Sequence, residues 1–499
     1  MTVRLKTLAA LVALAAGAPA FALDLLEAYR DALASDPQLA SARSQLQAIR
    51  ERVPQARAAL LPQVSATAAV MRQDFDTNLA PARQFNSQSY GIQLSYPLLR
   101  KPYNEVLEQS KLQVTAGEAQ LLQAEQDLIL RVSQAYFDLL AAQDNLETIR
   151  AQKRAISEQL ASAKRNFEVG TATITDQQEA QARFDLTSAQ EIAAQNDLAV
   201  RRAALAQLIA RPVGDVNELR PGVTLEGPQP AGESDWVQSA RDNNLLVQQQ
   251  RLAADVAQRE IERRRAAYYP SIDLVGNVGH GRNSAFNLIG VRTDSAAIGV
   301  QLSVPLYTGG LIQASVREAT ALLDRSLSDL ESSRRLAEQN ARQAYLGLNS
   351  GLAQVGALEA AERSSRLALD SNVLGYQVGV RINIDVLNAQ QQLFATQSQL
   401  ARARYDALLS GLTLKSTTGI LSETDLARIN ALLVPPRAST GDSGAGTTAQ
   451  ALPAPQGAPG ATPPQGAAPG AAPASGAKAN PPAPAPNMPR QRGGRVLKR

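Results

Sequence analysis

The stretch that decides the fold is Gly91-Ile92-Gln93-Leu94-Ser95-Tyr96-Pro97-Leu98, which returns as Gly299-Val300-Gln301-Leu302-Ser303-Val304-Pro305-Leu306. In both, apolar and polar residues alternate with period two, the signature of a strand with one apolar and one polar face. The same shift that carries Pro97 onto Pro305 carries Pro62, in Leu60-Leu61-Pro62-Gln63, onto Pro270. With a slip of one residue it carries Tyr136 onto Tyr345, Gly170 onto Gly379 and Asp176 onto Asp385. One register held over most of the chain implies a duplicated unit of about half its length, not a short solenoid repeat.

Each unit reads as two strands followed by two long helices. Strands are expected over 63–75, 87–98, 271–281 and 295–306. Their second face is rich in Ser, Gly, Gln and Asn rather than charge. Runs of about ten residues with that alternation match a membrane β-barrel, whose lipid face is apolar and whose lumen is polar. Between them, Val132, Ala135, Leu139, Ala142, Leu146, Ile149, Lys153, Ile156, Leu160, Ala163 and Phe167 step by three and four as a heptad seam. Helical hairpins are expected over 103–211 and 310–417, started near Pro102 and turned at Gly170 and Gly379. The reading is a mixed α and β chain, with a first repeat over 23–227 and a second over 228–434.

The ends differ. Residues 1–22 read as a secretory signal: Arg4 and Lys6, an apolar run from Leu8 to Ala16, then Ala20-Phe21-Ala22 as a cleavage site. Residues 435–499 hold about half of the 27 prolines among Ala, Gly and Ser, and read as a disordered tail with a basic end.

Composition narrows the function. The 499 residues include no cysteine and one histidine, which excludes disulfide frameworks, thiol nucleophiles and multi-histidine metal sites. Fifty basic against 46 acidic residues is too balanced for a nucleic-acid binder. No clustered catalytic groups are visible, so neither an enzyme nor a cofactor is expected. Four strands per chain cannot close a membrane barrel, since the smallest have about eight, and lipid does not tolerate an open edge. The chain is therefore expected to oligomerise, with three or more copies around a water-filled pore. The competing reading is a coiled-coil structural or adhesive envelope protein with a β anchor. It leaves the polar cluster at the repeated Val-Gly turns without a purpose.

These residues resemble the TolC family of outer-membrane channel-tunnels. The segments are Phe167-Glu168-Val169-Gly170 with Ile174-Thr175-Asp176, Gly375-Tyr376-Gln377-Val378-Gly379 with Arg381 and Asp385-Val386-Leu387, Ala135-Tyr136-Phe137, Leu60-Leu61-Pro62-Gln63 and Ala403-Arg404-Tyr405. The resemblance covers about residues 24–430 and lacks the lipidated cysteine of drug-pump relatives. It implies a homotrimer whose 12 strands form a barrel in the outer-membrane lipid and whose helices form a tube across the periplasm. An equatorial belt would lie near 211–235 and 418–433. An inner-membrane pump or ABC transporter and a periplasmic adaptor would engage the tips, with Gly170 and Gly379 at the adaptor-facing turns. The resemblance further implies tip links from Thr175 and Asp176 to Tyr376 and Arg381, within and between chains. It places one aperture ring on Asp385 and a second on Asn388, where the family carries aspartate.

Overall fold

The computed structural model describes residues 22–78, 80–171, 173–283 and 288–436. The signal sequence and the proline-rich tail expected from the sequence lie outside the described residues, apart from Ala22, Pro435 and Pro436.

The described residues open with three short helices, α1 (Leu25–Ser35), α2 (Pro37–Arg50) and α3 (Arg52–Ala58). Asp36 caps α2 by accepting from the Leu39 N–H, with Pro37 behind it at the first helical position. Strands β1 (Gln63–Thr77) and β2 (Ala80–Leu99) follow, then a 68-residue helix α4 (Lys101–Glu168) and its return α5 (Ile174–Ile209). After a two-residue strand β3 (Glu218–Leu219) the order of elements comes round again. It runs α6 (Glu233–Asn243), α7 (Leu245–Arg265), β4 (Ser271–Arg282), β5 (Arg292–Ser303), α8 (Leu311–Gln377) and α9 (Asn383–Thr417). Helix α10 (Glu423–Asn430) and strand β6 (Leu433–Val434) complete it.

The four long strands form one antiparallel sheet in the order β1–β2–β4–β5. Its register sorts residues into rows. Ala66, Ile92, Val278 and Ala296 stand side by side, and the next row is Thr67, Gly91, Gly279 and Ser295. Paired residues share a face, so one face is apolar and the other small and polar. Gly91 is required by close approach, because a Cβ there would meet the Val278 carbonyl at 2.9 Å. The apolar face is bare within the chain: Val70 and Ile298 are each 75% exposed. No described helix is long and apolar enough to cross a membrane.

At 1.5 Å per residue α4 spans about 100 Å. Near the sheet it packs on α2 and α7, where Arg50 meets Glu118 and Gln249 meets Gln123. Further along it packs on α5 and α9, through Lys153 to Glu191 and Ser398 to Asn145. The seam residues Val132, Leu139, Ala142, Leu146, Ile156, Leu160 and Ala163 are buried and Ala135, Ile149 and Lys153 partly so, whereas Phe167, next to the last residue of the helix, is exposed. Glu260 on α7 is gripped by Arg263, Arg264 and Gln109. Burial opposes its charge, but those partners outweigh it and hold its pKa down at about 2. Arg263 and Arg264 thus stand on a partly exposed helix face and pair with Glu260 one turn back.

The core sits at the waist. Tyr136 is fully buried on α4 and its hydroxyl donates to the carbonyls of Leu23 and Asn217. That ties the helix to the chain start and to the β3 segment, where β3 pairs with β6. Phe137 stacks on Tyr405 of α9, whose hydroxyl donates to Asp144 at 2.6 Å. Trp236 is buried and its indole donates to the Pro230 carbonyl.

Burial raises the Asp144 carboxyl to about 6, against the lowering effect of Tyr405. An unfolded aspartate titrates near 4. Between those values the folded chain holds the proton more tightly, so this residue favours folding increasingly as pH falls from about 6 to about 4. Asp144→Asn is therefore expected to melt higher than wild type at pH 7.5 and to lose that advantage at pH 4. Thermal unfolding followed by circular dichroism at the two pH values checks this.

Candidate functional site at the helix tips

Both long hairpins turn with the same backbone. In the first, the Gly170 N–H donates to Phe167 O and the Thr171 N–H to Asn166 O. In the second, Gly379 donates to Tyr376 O and Val380 to Gly375 O. Gly170 and Gly379 have φ of +79° and +78°, and a Cβ at either would touch nothing within 4 Å. Glycine is needed there for the left-handed backbone that ends a helix, not for space.

The residues that open the return helices differ, and this changes the chemistry. Thr173 caps α5 and forms a capping box with Asp176. The Asp176 carboxylate accepts from the Thr173 N–H at 2.9 Å and from its hydroxyl at 2.7 Å. In the second hairpin the cap is Ile382, which has no side-chain oxygen to offer. Asp385, at the position matching Asp176, is left free of capping and lies 3.6 Å from Arg381 Nη1. The stem of Arg381 crosses Gly375, where a Cβ would meet its Cγ at 2.7 Å.

The links expected between Thr175 or Asp176 and Tyr376 or Arg381 are not made within the chain. Asp176 is occupied by its own helix cap and Arg381 faces Asp385. Thr175 is exposed and makes no side-chain hydrogen bond among the described residues. Tyr376 instead accepts from the Asn166 amide of α4 at 3.3 Å. The intrachain bridge is Asn383, 1% exposed. It donates to the Asp176 carbonyl at 3.3 Å and accepts from Gln159, joining α4, α5 and α9. Nothing in the sequence singles it out, since both its partners come from the other half of the chain.

Asn388 lies one turn beyond Asp385 and accepts from Arg183 Nη2 at 3.1 Å, while Nη1 of the same guanidinium donates to Gln391. The tips also bare apolar side chains: Val169, Val378, Val380 and Ile382 are all more than 60% exposed.

The family model for "outer membrane efflux protein" matches residues 28–211 and again 236–420. The chain belongs to that family. The chain is 34% identical to the outer membrane protein TolC of Vibrio cholerae, over 82% of this chain and 94% of that one. It is 32% identical to the alkaline protease secretion protein AprF of Pseudomonas aeruginosa, over 83% and 88% of the two chains. Among solved structures, the outer membrane protein VceC of Vibrio cholerae superposes with a TM-score of 0.67 at 20% identity, over 79% of this chain and 96% of that one. That likeness shows the fold.

Removing the Asn383 side chain leaves the Gln159 amide and the Asp176 carbonyl without their partner, at a cost of about 1–3 kcal/mol. Asn383→Ala is expected to speed amide exchange in the first turns of α5 and α9 and to leave the waist around Tyr136 unchanged. Hydrogen–deuterium exchange mass spectrometry reads both regions in one experiment.

Proposed function

We propose that three copies of the chain close into a 12-stranded barrel in the outer membrane, continuous with a periplasmic helical tube. The assembly is a passive exit duct, opened at its helix tips when a periplasmic adaptor and an inner-membrane pump or ABC transporter engage them. The observation that carries this is the four-stranded sheet with bare edges at β1 and β5 and an exposed apolar face. Neither edge is stable in lipid, and joining β5 of one copy to β1 of the next satisfies both. Two matches of one family model, over 28–211 and 236–420, support the two halves (23–227 and 228–434) as a duplicated unit. The duct serves drug efflux or type I secretion of proteins; in support, the family model's description carries efflux and the name of AprF carries alkaline protease secretion.

The gate in this reading lies at the tips. Arg381 presents its fork beside the turn and Tyr376 stands half-buried on the neighbouring helix. Across the interface between copies they meet Thr175 and Asp176 of the next chain. A few such links, each about 1 kcal/mol, hold a closed state that the binding energy of an adaptor overcomes. Asp385 forms the aperture ring. Asn388 contributes no charge to a second, so the ring carries three carboxylates rather than six.

In planar bilayers the wild type is expected to show a small conductance that rises several-fold in Arg381→Ser/Tyr376→Phe. An unchanged conductance removes these residues from the gate, and no channel at all returns the chain to an anchored coiled coil. Reversal potentials in a salt gradient are expected to show cation preference that Asp385→Asn abolishes. Block by trivalent cations is expected to be weaker than in a channel with two acidic rings.

A further inference from the structure

The apolar face of the sheet ends abruptly. Along β4 it carries Ile272, Leu274, Gly276 and Val278, then His280 and Arg282. From Ile272 to Arg282 the strand climbs about 33 Å, and a tilt of about 40° makes that about 25 Å along the membrane normal, the height of the apolar band of such barrels. The row that closes the band is Val70, Gln88, Arg282 and Arg292, side by side across all four strands. Arg282 and Arg292 are directly opposite one another, both exposed, and neither has an ion pair among the described residues. Like charges directly opposite work against strand pairing.

The neighbouring groups do not relieve this. Asp294, one row down, is engaged by His280 Nδ1, and His280 stacks on Tyr90 at 4.7 Å. Arg72, one row up, donates to Gln84, which donates to Asp74. The backbone of the pair is fixed: Asn283 donates to the Asn86 carbonyl and accepts from the Gly290 N–H, closing the base of the loop onto β2. Two exposed arginines on opposed strands are thus brought to the end of the sheet away from the helices, where in the membrane reading lipid hydrocarbon gives way to headgroups.

We infer that Arg282 and Arg292 form a binding site for the phosphate groups of a phosphorylated outer-leaflet lipid. A phosphate between them turns the repulsion into a clamp, because guanidinium binds phosphate oxygens bidentately. Tyr90 and His280 lie beneath as the aromatic belt against the upper acyl chain. This inference rests on the apolar sheet face lying against lipid, as proposed above.

The test is native mass spectrometry of the detergent-solubilised full-length protein titrated with diphosphoryl lipid A or its dephosphorylated form. Co-flotation with phosphatidylcholine vesicles scores membrane insertion separately. Wild type is expected to prefer the diphosphoryl form. Arg282→Gln/Arg292→Gln is expected to weaken that binding about tenfold or more, each charge contributing as a basic residue does at an anionic surface. Arg282→Lys/Arg292→Lys keeps most of the binding, and Arg325→Gln on α8 keeps all of it. Equal binding by the glutamine variant, equal binding of the dephosphorylated lipid, or full displacement by millimolar inorganic phosphate overturns the site. Failure of wild type to co-float overturns the membrane reading instead, and the inference with it.

Discussion

The backbone N–H and C=O groups on the outer edges of β1 and β5 have no strand partner among the described residues, and the rest of the structure answers to that fact. In water an open edge is a nuisance; in hydrocarbon each unpaired group costs several kcal/mol. The sheet is apolar on the face that would meet lipid and carries Thr67, Gly91, Gly279 and Ser295 on the other. A single chain with such a sheet is incomplete. In the proposed assembly, closure by further copies fixes the direction of the strands, and with them the long helices that leave the sheet at Arg100 and Gly310. At the first of these junctions Arg100 grips Asp273 with two bonds of 2.9 and 2.8 Å, so strand and helix are joined by charge as well as by chain.

The distal end follows a different logic. The two hairpins share their turns but not their caps. Thr173 draws the Asp176 carboxylate into a capping box, whereas Ile382 leaves Asp385 free to face Arg381. One substitution at a cap position thus gives equivalent aspartates different tasks, one local and structural, the other electrostatic.

Much of this was legible in the residues. The alternation of Tyr90, Ile92, Leu94 and Tyr96 places them on one face because strand side chains alternate strictly. Seven of the eleven heptad steps of α4 are buried and three partly so, while Phe167 at the tip is exposed. Gly170 and Gly379 were readable because few other residues adopt their φ. The tip bridge was not. Asn383 and Arg183 act through partners some two hundred residues away, and no local spacing announces them. The resemblance suggested the tip residues, but which partner each takes depends on caps and packing.

The central claim is that an unfinished sheet obliges the chain to assemble around a closed barrel. The most direct measurement is the mass of the detergent-solubilised protein by analytical ultracentrifugation with the bound detergent subtracted. The account requires three chains per particle. A stable particle of one folded chain, its β1 and β5 edges unpaired, would contradict it.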